Sequence, residues 1–289
     1  MRVIPNLIRW LATWPLFALQ ALGWLGGWLA WLLSGSYRRR WLENTRQAGV
    51  KGWRRWASIG HAGMQVAELP RVWFGRPVPV RWDGDEHILR ALNQQQGMLF
   101  LTPHMGCFEI TAQAYARSFG NAKPMTVLFR PPRKAVLAEV LERARVRPGM
   151  AAAPATLAGV KQLIQALKSG EAVGLLPDQV PPHGLGVWAP FFDRPAYTMT
   201  LSVRFARTPG TQVLLAWGER LPWGQGFVVH VRPWDSVVSE PLARDPQAAV
   251  AQVNRAMEAL ISQCPEQYLW GYARYKSPRG ASAPSSGSV

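Results

Sequence analysis

The sequence predicts an α/β fold: a sheet covered by helices on both faces, with a membrane-anchoring helix ahead of it. Three observations carry this. From about residue 78 onward, short apolar runs that read as buried strands alternate with amphipathic stretches of helical period. The best defined run, Gly97 to Leu101, ends at Thr102-Pro103 and is soon followed by a helical stretch, Phe108 to Ala116. Finally, no charged residue occurs between Trp10 and Tyr37.

The N-terminal stretch comes first. Leu16 to Leu33 is apolar except for Gln20, and 18 residues of helix roughly match a ~30 Å hydrocarbon layer. A cleaved signal peptide has a shorter apolar region and a small-residue cleavage site. Here Tyr37-Arg-Arg-Arg40 follows, which favours a retained anchor. Arg38, Arg39 and Arg40 outweigh Arg2 and Arg9, so the bulk of the protein is expected to face the cytoplasm. Pro15 and the Gly23/Gly26/Gly27 cluster leave open a helix lying flat in the interface. Lys51 to Leu69 has helical spacing. Val78 to Trp82 reads as a strand, Glu86 to Gln94 as a helix, Pro124 to Phe129 as a strand and Ala135 to Arg147 as an amphipathic helix. Leu157 to Lys168 is a helix and Ala172 to Leu176 a buried strand. Val187 to Phe192 is an apolar loop or strand, Thr198 to Arg207 a helix, Val213 to Gly218 and Phe227 to Val231 strands, and Asp245 to Gln263 a long helix. Ser277 to Val289 is rich in Ser, Pro, Gly and Ala and is expected to be disordered.

Composition narrows the partners. A formal net charge of +16 and a pI near 11.0 argue for acidic partners such as phospholipid surfaces, phosphorylated substrates or acidic proteins. Zinc-finger, RRM and KH patterns are absent from the sequence, which argues against nucleic acid. Fifteen Trp against six Tyr suits a membrane interface. Two cysteines, Cys107 and Cys264, make no disulfide framework and point to a reducing compartment. CxxC and HExxH spacings are absent too, so neither metal nor cofactor is expected.

The candidate chemistry sits at the junction after Leu101. His104 and Glu109 are separated by four residues, where a strand hands over to a helix. A histidine is a general base near neutral pH, and a carboxylate on its other ring nitrogen fixes the tautomer and stabilises the imidazolium. Spacing alone is equally satisfied by a buried His with an unrelated helix-face Glu. Cys107, three residues from His104, is either a nucleophile or, the reading favoured here, a packing residue. Arg130 and Arg147 are candidate contacts for acceptor phosphates or an oxyanion, or else solvated basic residues. Asp178 either orients one of these arginines or the acceptor, or forms a turn before Gln179.

Five segments in order carry a resemblance: His104…Glu109, Phe129-Arg130-Pro131, Pro177-Asp178-Gln179, Phe191 to Thr198 (FFDRPAYT) and Pro265 to Lys276 (PEQYLWGYARYK). This sequence resembles the lipid A biosynthesis late acyltransferases, within the HX4D/E glycerolipid acyltransferase superfamily, over nearly its whole length. Asp193 stands where Gly is commoner in that family, and Gly271-Tyr272-Ala273 where a His–Arg pair is common. The resemblance implies a mixed sheet flanked by helices, with an anchor over 1–40, an acyltransferase domain over 41–276 and a tail over 277–289. It implies acyl transfer from a thioester, of acyl carrier protein or acyl-CoA, to a hydroxyl of a membrane glycolipid, a lipid A precursor. In that reading His104 is the base, Glu109 orients its ring, and Arg147 best matches a family arginine associated with catalysis. The PEQYLW segment is read as architectural, with Glu266 and Trp270 as anchors. Alternatives are a lysophospholipid acyltransferase, which changes only the acceptor, and a basic membrane-anchored lipid-binding protein, which has no need of the His104/Glu109 pair.

Overall fold

A computed structural model describes residues 3–129, 144 and 147–280. The centre is a seven-stranded mixed sheet. Its strands are β1 (Val80–Asp83), β2 (Gly97–Leu101), β3 (Met125–Phe129), β4 (Met150–Pro154), β5 (Ala172–Leu175), β8 (Thr211–Arg220) and β9 (Phe227–Pro233). Their spatial order is β1-β9-β8-β2-β5-β3-β4, with β8 and β9 antiparallel and the other neighbours parallel. The strand carrying the His104 segment is central, and every residue of it is buried. Its near-continuous apolar sequence is what burial on both faces demands. Two apolar clusters fill the two faces. One includes helix α7 (Phe108–Ser118), with Ile110, Ala114 and Tyr115. The other includes α8 (Leu157–Lys168) and α10 (Pro246–Ile261), whose N-cap Asp245 accepts from the Ala248 N–H.

A hairpin of β6 (Gly186–Phe191) and β7 (Arg194–Met199) stands apart from this sheet. Its two turn residues, Phe192 and Asp193, both have positive φ, at 46° and 59°. Such a turn favours Gly, which is the commoner residue at the Asp193 position in the family resembled. Here tertiary bonds hold it: the Glu258 carboxylate accepts from the Phe192 N–H (2.8 Å), and the Gln47 amide donates to the Phe192 carbonyl (2.6 Å). Because β7 takes Thr198 and Met199, the following helix begins only at Leu201, three residues later than the periodicity predicts.

The N-terminal region is α1 (Val3–Leu11), α2 (Leu16–Leu33), α3 (Gly35–Gln47), α4 (Gly52–Ala67) and α5 (Leu69–Phe74). By length and composition α2 is the one helix among the described residues fit to cross a membrane. It lies against α4 at backbone contact. A Cβ on Gly27 would come within 2.2 Å of the Ile59 carbonyl oxygen, and one on Gly63 within 1.9 Å of that of Gly23. Two of the glycines read as helix breakers, Gly23 and Gly27, are therefore the contact surface, while Gly26 faces open space. The opposite face of α2, with Phe17, Leu22, Leu25, Leu29, Leu32 and Leu33, is exposed. Trp28 and Trp31 of α2 pack with Trp41 of α3 and Trp56 of α4, with ring centroids 5.4 to 6.4 Å apart. Part of the tryptophan excess is thus interhelical packing. Helix α3 is tied to the C-terminal segment: Asn44 donates to the Trp270 and Tyr272 carbonyls (2.7 and 2.8 Å), and Arg40 to that of Gly271 (3.0 Å). Most of the Ala135–Arg147 helix, and the tail over 281–289, lie outside the described residues.

Candidate active site

The sheet register assembles the site. Strands β2 and β5 are parallel neighbours with Leu101 opposite Leu175. Three residues beyond each lie His104 and Asp178, so the two loops deliver them side by side. Asp178 Oδ1 lies 2.6 Å from His104 Nδ1, and its Oδ2 accepts from the His104 backbone N–H at 2.9 Å. The carboxylate is 2% exposed. Burial pushes its carboxyl upward, but the imidazole beside it, these hydrogen bonds and the nearby Arg274 outweigh that and hold it below the usual carboxylate range. On the other side of the ring, Gln179 Nε2 is 3.0 Å from His104 Nε2, and the Phe108 ring packs at 5.0 Å. A carboxylate on Nδ1 requires the Nδ1–H tautomer, leaving Nε2 as the basic atom facing the cleft.

The carboxylate that the structure places on Nδ1 of the ring is Asp178. Glu109, to which the spacing points, sits in the first turn of α7, buried, where the helix dipole favours a negative charge. Its charge raises the proton affinity of Arg147, against the burial that lowers it. Arg147 is spent on the protein itself. It donates to Gln113 Oε1 (2.8 Å), the Trp73 carbonyl (2.7 Å) and the Ala144 carbonyl (3.0 Å), clamping its loop to α5 and α7. Arg130 lies outside the described residues. Cys107 is buried, and burial, with the Glu68 carboxylate, pushes its thiol well up, the environment of a packing residue rather than a nucleophile.

The loop carrying His104 is held from behind by the last segment of the fold. The Leu269 N–H donates to the His104 carbonyl (3.2 Å), the Gly106 N–H to that of Gln267 (2.9 Å), and Met105 bridges Tyr268. Gly106 has φ +57°, and a Cβ there would meet the Gly218 carbonyl oxygen at 1.9 Å. So PEQYLW is architectural, through Gln267 and Tyr268 and through the buried Trp270, whose carbonyl accepts from Asn44. Trp270 donates to Pro265 within the segment (2.7 Å), and Glu266 makes only a long pair with Arg54 (3.7 Å). Tyr268 is buried, and burial and the neighbouring Asp178 carboxylate keep its hydroxyl protonated.

A second buried charge pair lies beneath the same loop. Arg220, at the end of β8, donates to both carboxylate oxygens of Glu68 (2.7 and 2.6 Å), to the Gly106 carbonyl (3.0 Å) and to His61 Nδ1 (3.1 Å). Burial and the Arg220 cation depress His61 to about 3, so it is a neutral acceptor. Gln20 of α2 reaches the same node, 3.5 Å from Glu68.

A mostly apolar cavity of about 50 Å³ lies between α7 and the sheet, lined by Thr102, Phe108 and Glu109 together with Trp82, Met125 and Val229. Among the described residues no cluster of three or more His, Cys, Asp or Glu could hold a metal ion.

Residues 55–277 match the family described as bacterial lipid A biosynthesis acyltransferase. The chain belongs to that family. It is 30% identical over 224 residues to the lipid A biosynthesis lauroyltransferase of Escherichia coli (strain K12), covering 75% of this chain and 70% of that one. To the palmitoleoyltransferase of the same organism it is 29% identical over 228 residues, 76% of this chain and 71% of that one. The lipid A biosynthesis acyltransferase of Shigella flexneri matches to the same extent. This lipid A acyltransferase family member is thus a transferase of acyl groups, and the region matched begins within α4. Sequence reading missed Gln179, Gln267, Tyr268 and Arg274 as neighbours of the site. The usable signal was the equal offset of His104 and PDQ from two adjacent strands.

Proposed function

We propose that this chain transfers a fatty acyl group from an acyl thioester, carried by acyl carrier protein or coenzyme A, to a hydroxyl of a lipid A precursor at the cytoplasmic face of the inner membrane. The observation that carries the chemistry is the His104–Asp178 pair, because it leaves Nε2 as the base. A hydroxyl is a poor nucleophile at neutral pH. His104 takes its proton as the oxygen attacks the thioester carbonyl, and Asp178 stabilises the imidazolium. The imidazolium then protonates the departing thiolate, so the proton is conserved and no acyl-enzyme forms. Helix α7 starts at Phe108, close in sequence to His104, and the unpaired backbone N–H groups of a helix start are suited to the oxyanion. Glu109 lines the apolar cavity, and Arg130 is the candidate for an acceptor phosphate. The cavity receives the start of the acyl chain. Its volume is that of a water or two, so a long chain enters only as the rim yields.

The membrane reading rests on α2. One face is fixed to α4, and the other is continuously apolar and exposed. With Trp53 and Trp56 exposed on α4, and Arg38, Arg39 and Arg40 following α2, this suits a helix buried along one face in the bilayer. The test is mass spectrometry of lipid A and phospholipids from a host with and without the chain. A lipid A species heavier by one acyl group is expected. A changed phospholipid profile with unaltered lipid A would move the acceptor to a lysophospholipid.

A further inference from the structure

Gln179 sits where the reaction needs an empty space. With Nδ1–H committed to Asp178, Nε2 is the basic atom of His104, and the acceptor hydroxyl must donate to it. In the structure that lone pair is filled by the Gln179 amide, 3.0 Å away. The amide orientation follows from the chemistry: turned round, its oxygen would face an unprotonated nitrogen, acceptor against acceptor. An N–H donor at that distance reproduces what an acceptor O–H would present. The backbone beneath it is fixed. Asp178 is buried and doubly bonded to His104, and the Val180 N–H donates to the Tyr272 hydroxyl at 3.0 Å. The side chain itself is only partly buried, so it can swing while its backbone stays.

We propose that Gln179 caps the basic nitrogen of His104 until an acceptor hydroxyl displaces it, and so keeps water from hydrolysing the acyl thioester. This rests on the reading of His104 as the base. A thioester bound beside an uncapped imidazole is exposed to the competing reaction. Water gives its proton to Nε2 and attacks the carbonyl carbon, the carbon–sulfur bond breaks, the thiolate takes the proton, and a fatty acid is released. Water is the commonest hydroxyl available, so a transferase needs some means of excluding it. The other titratable groups around the ring are fixed by their surroundings: Asp178 ionised, Tyr268 and Cys107 protonated by burial, Arg274 cationic behind Asp178, and Glu109 with Arg147 on the α7 side. The group that the structure places on Nε2 is the Gln179 amide.

The test compares thiol release from an acyl–acyl carrier protein thioester without acceptor against acyl transfer with a lipid A precursor, in the full-length wild type, Gln179→Ala and Gln179→Met. Gln179→Ala opens the space, and its ratio of hydrolysis to transfer is expected to rise tenfold or more. Gln179→Met keeps the bulk without the N–H and is expected to raise the ratio less. A structural role for Gln179 would lower both rates together and leave the ratio within twofold of wild type, and that result overturns the cap. Thermal melts identify any unfolded variant, and Gln179→Asn, which keeps an amide on a shorter arm, then stands in for it with the same expected rise. Adding His104→Ala to Gln179→Ala separates the two ideas. Loss of hydrolysis in the double variant keeps His104 as the base, whereas surviving hydrolysis refutes that reading of His104 and the cap with it.

Discussion

Two buried carboxylates flank the loop from His104 to Cys107, and they are used in opposite ways. Glu68 meets Arg220 in a saturated node: both carboxylate oxygens are filled, and the guanidinium is shared among Glu68, His61 and Gly106. Asp178 takes up the backbone N–H and one ring nitrogen of His104, and the other ring nitrogen is touched by a side chain that can move. A fully satisfied charge pair fixes shape. A pair with one basic atom turned outward can exchange a proton, so satisfaction rather than burial distinguishes structure from chemistry here.

Breaking the outward pair is expected to have the largest effect. His104→Ala should lower turnover by about 10²–10⁴-fold, the usual contribution of a general base, with little change in melting temperature. Asp178→Asn should fall in the same direction, and a His104/Asp178 double-mutant cycle on single-turnover transfer should be strongly non-additive. The same cycle with Glu109→Gln should be closer to additive if Glu109 acts away from the ring. Strong coupling there instead would restore Glu109 as the ring's partner.

Breaking the saturated pair should cost stability. Arg220→Met leaves Glu68 buried and unpaired, a change of roughly 3–5 kcal/mol, visible as a lowered melting temperature. Replacing both Glu68 and Arg220 with apolar residues should destabilise less than Arg220→Met alone. If Arg220→Met loses activity with an unchanged melt, the node belongs to the chemistry.

Acid should act on the node before neutral pH is far behind. His61 is held at about 3 in the fold against an ordinary 6.5, so the unfolded chain binds an extra proton between those values. Its contribution to stability is intact above pH ~6.5 and declines as pH falls toward 3. His61→Gln should flatten that part of a melting-temperature curve, and an unchanged slope would place the acid sensitivity elsewhere. The smallest effect is expected from Cys107→Ala: activity within about tenfold and roughly 1–2 kcal/mol of lost packing. A trapped thioester on that sulfur would overturn direct transfer.

Much of this was legible in the residues. The strand ending at Leu101, the long helix capped by Asp245 and the uncharged N-terminal helix follow from period and capping. So did the dependence of the site on loops following strands. What periodicity could not supply was strand order: only the β2–β5 adjacency tells that His104 meets Asp178. The edge strand Met150–Pro154 was hidden because its alanines carry little β preference. The β7 strand was obscured by a turn built on Phe192 and Asp193, residues that do not announce positive φ. Helix α3 is rich in arginine and makes sense as a helix only through its contacts with Trp270 and Tyr272.

The dependence of the His104 loop on Gln267 and Tyr268 has a consequence for biosynthesis. Those residues are translated long after the loop they hold and after the apolar helix α2. While the ribosome is still translating the last part of the message, α2 has long been made, but the carbonyl of His104 and the amide of Gly106 lack their partners. The support of the loop that carries His104 is therefore completed only once Gln267 and Tyr268 have been made, and until then the nascent protein carries His104 on an unbraced loop.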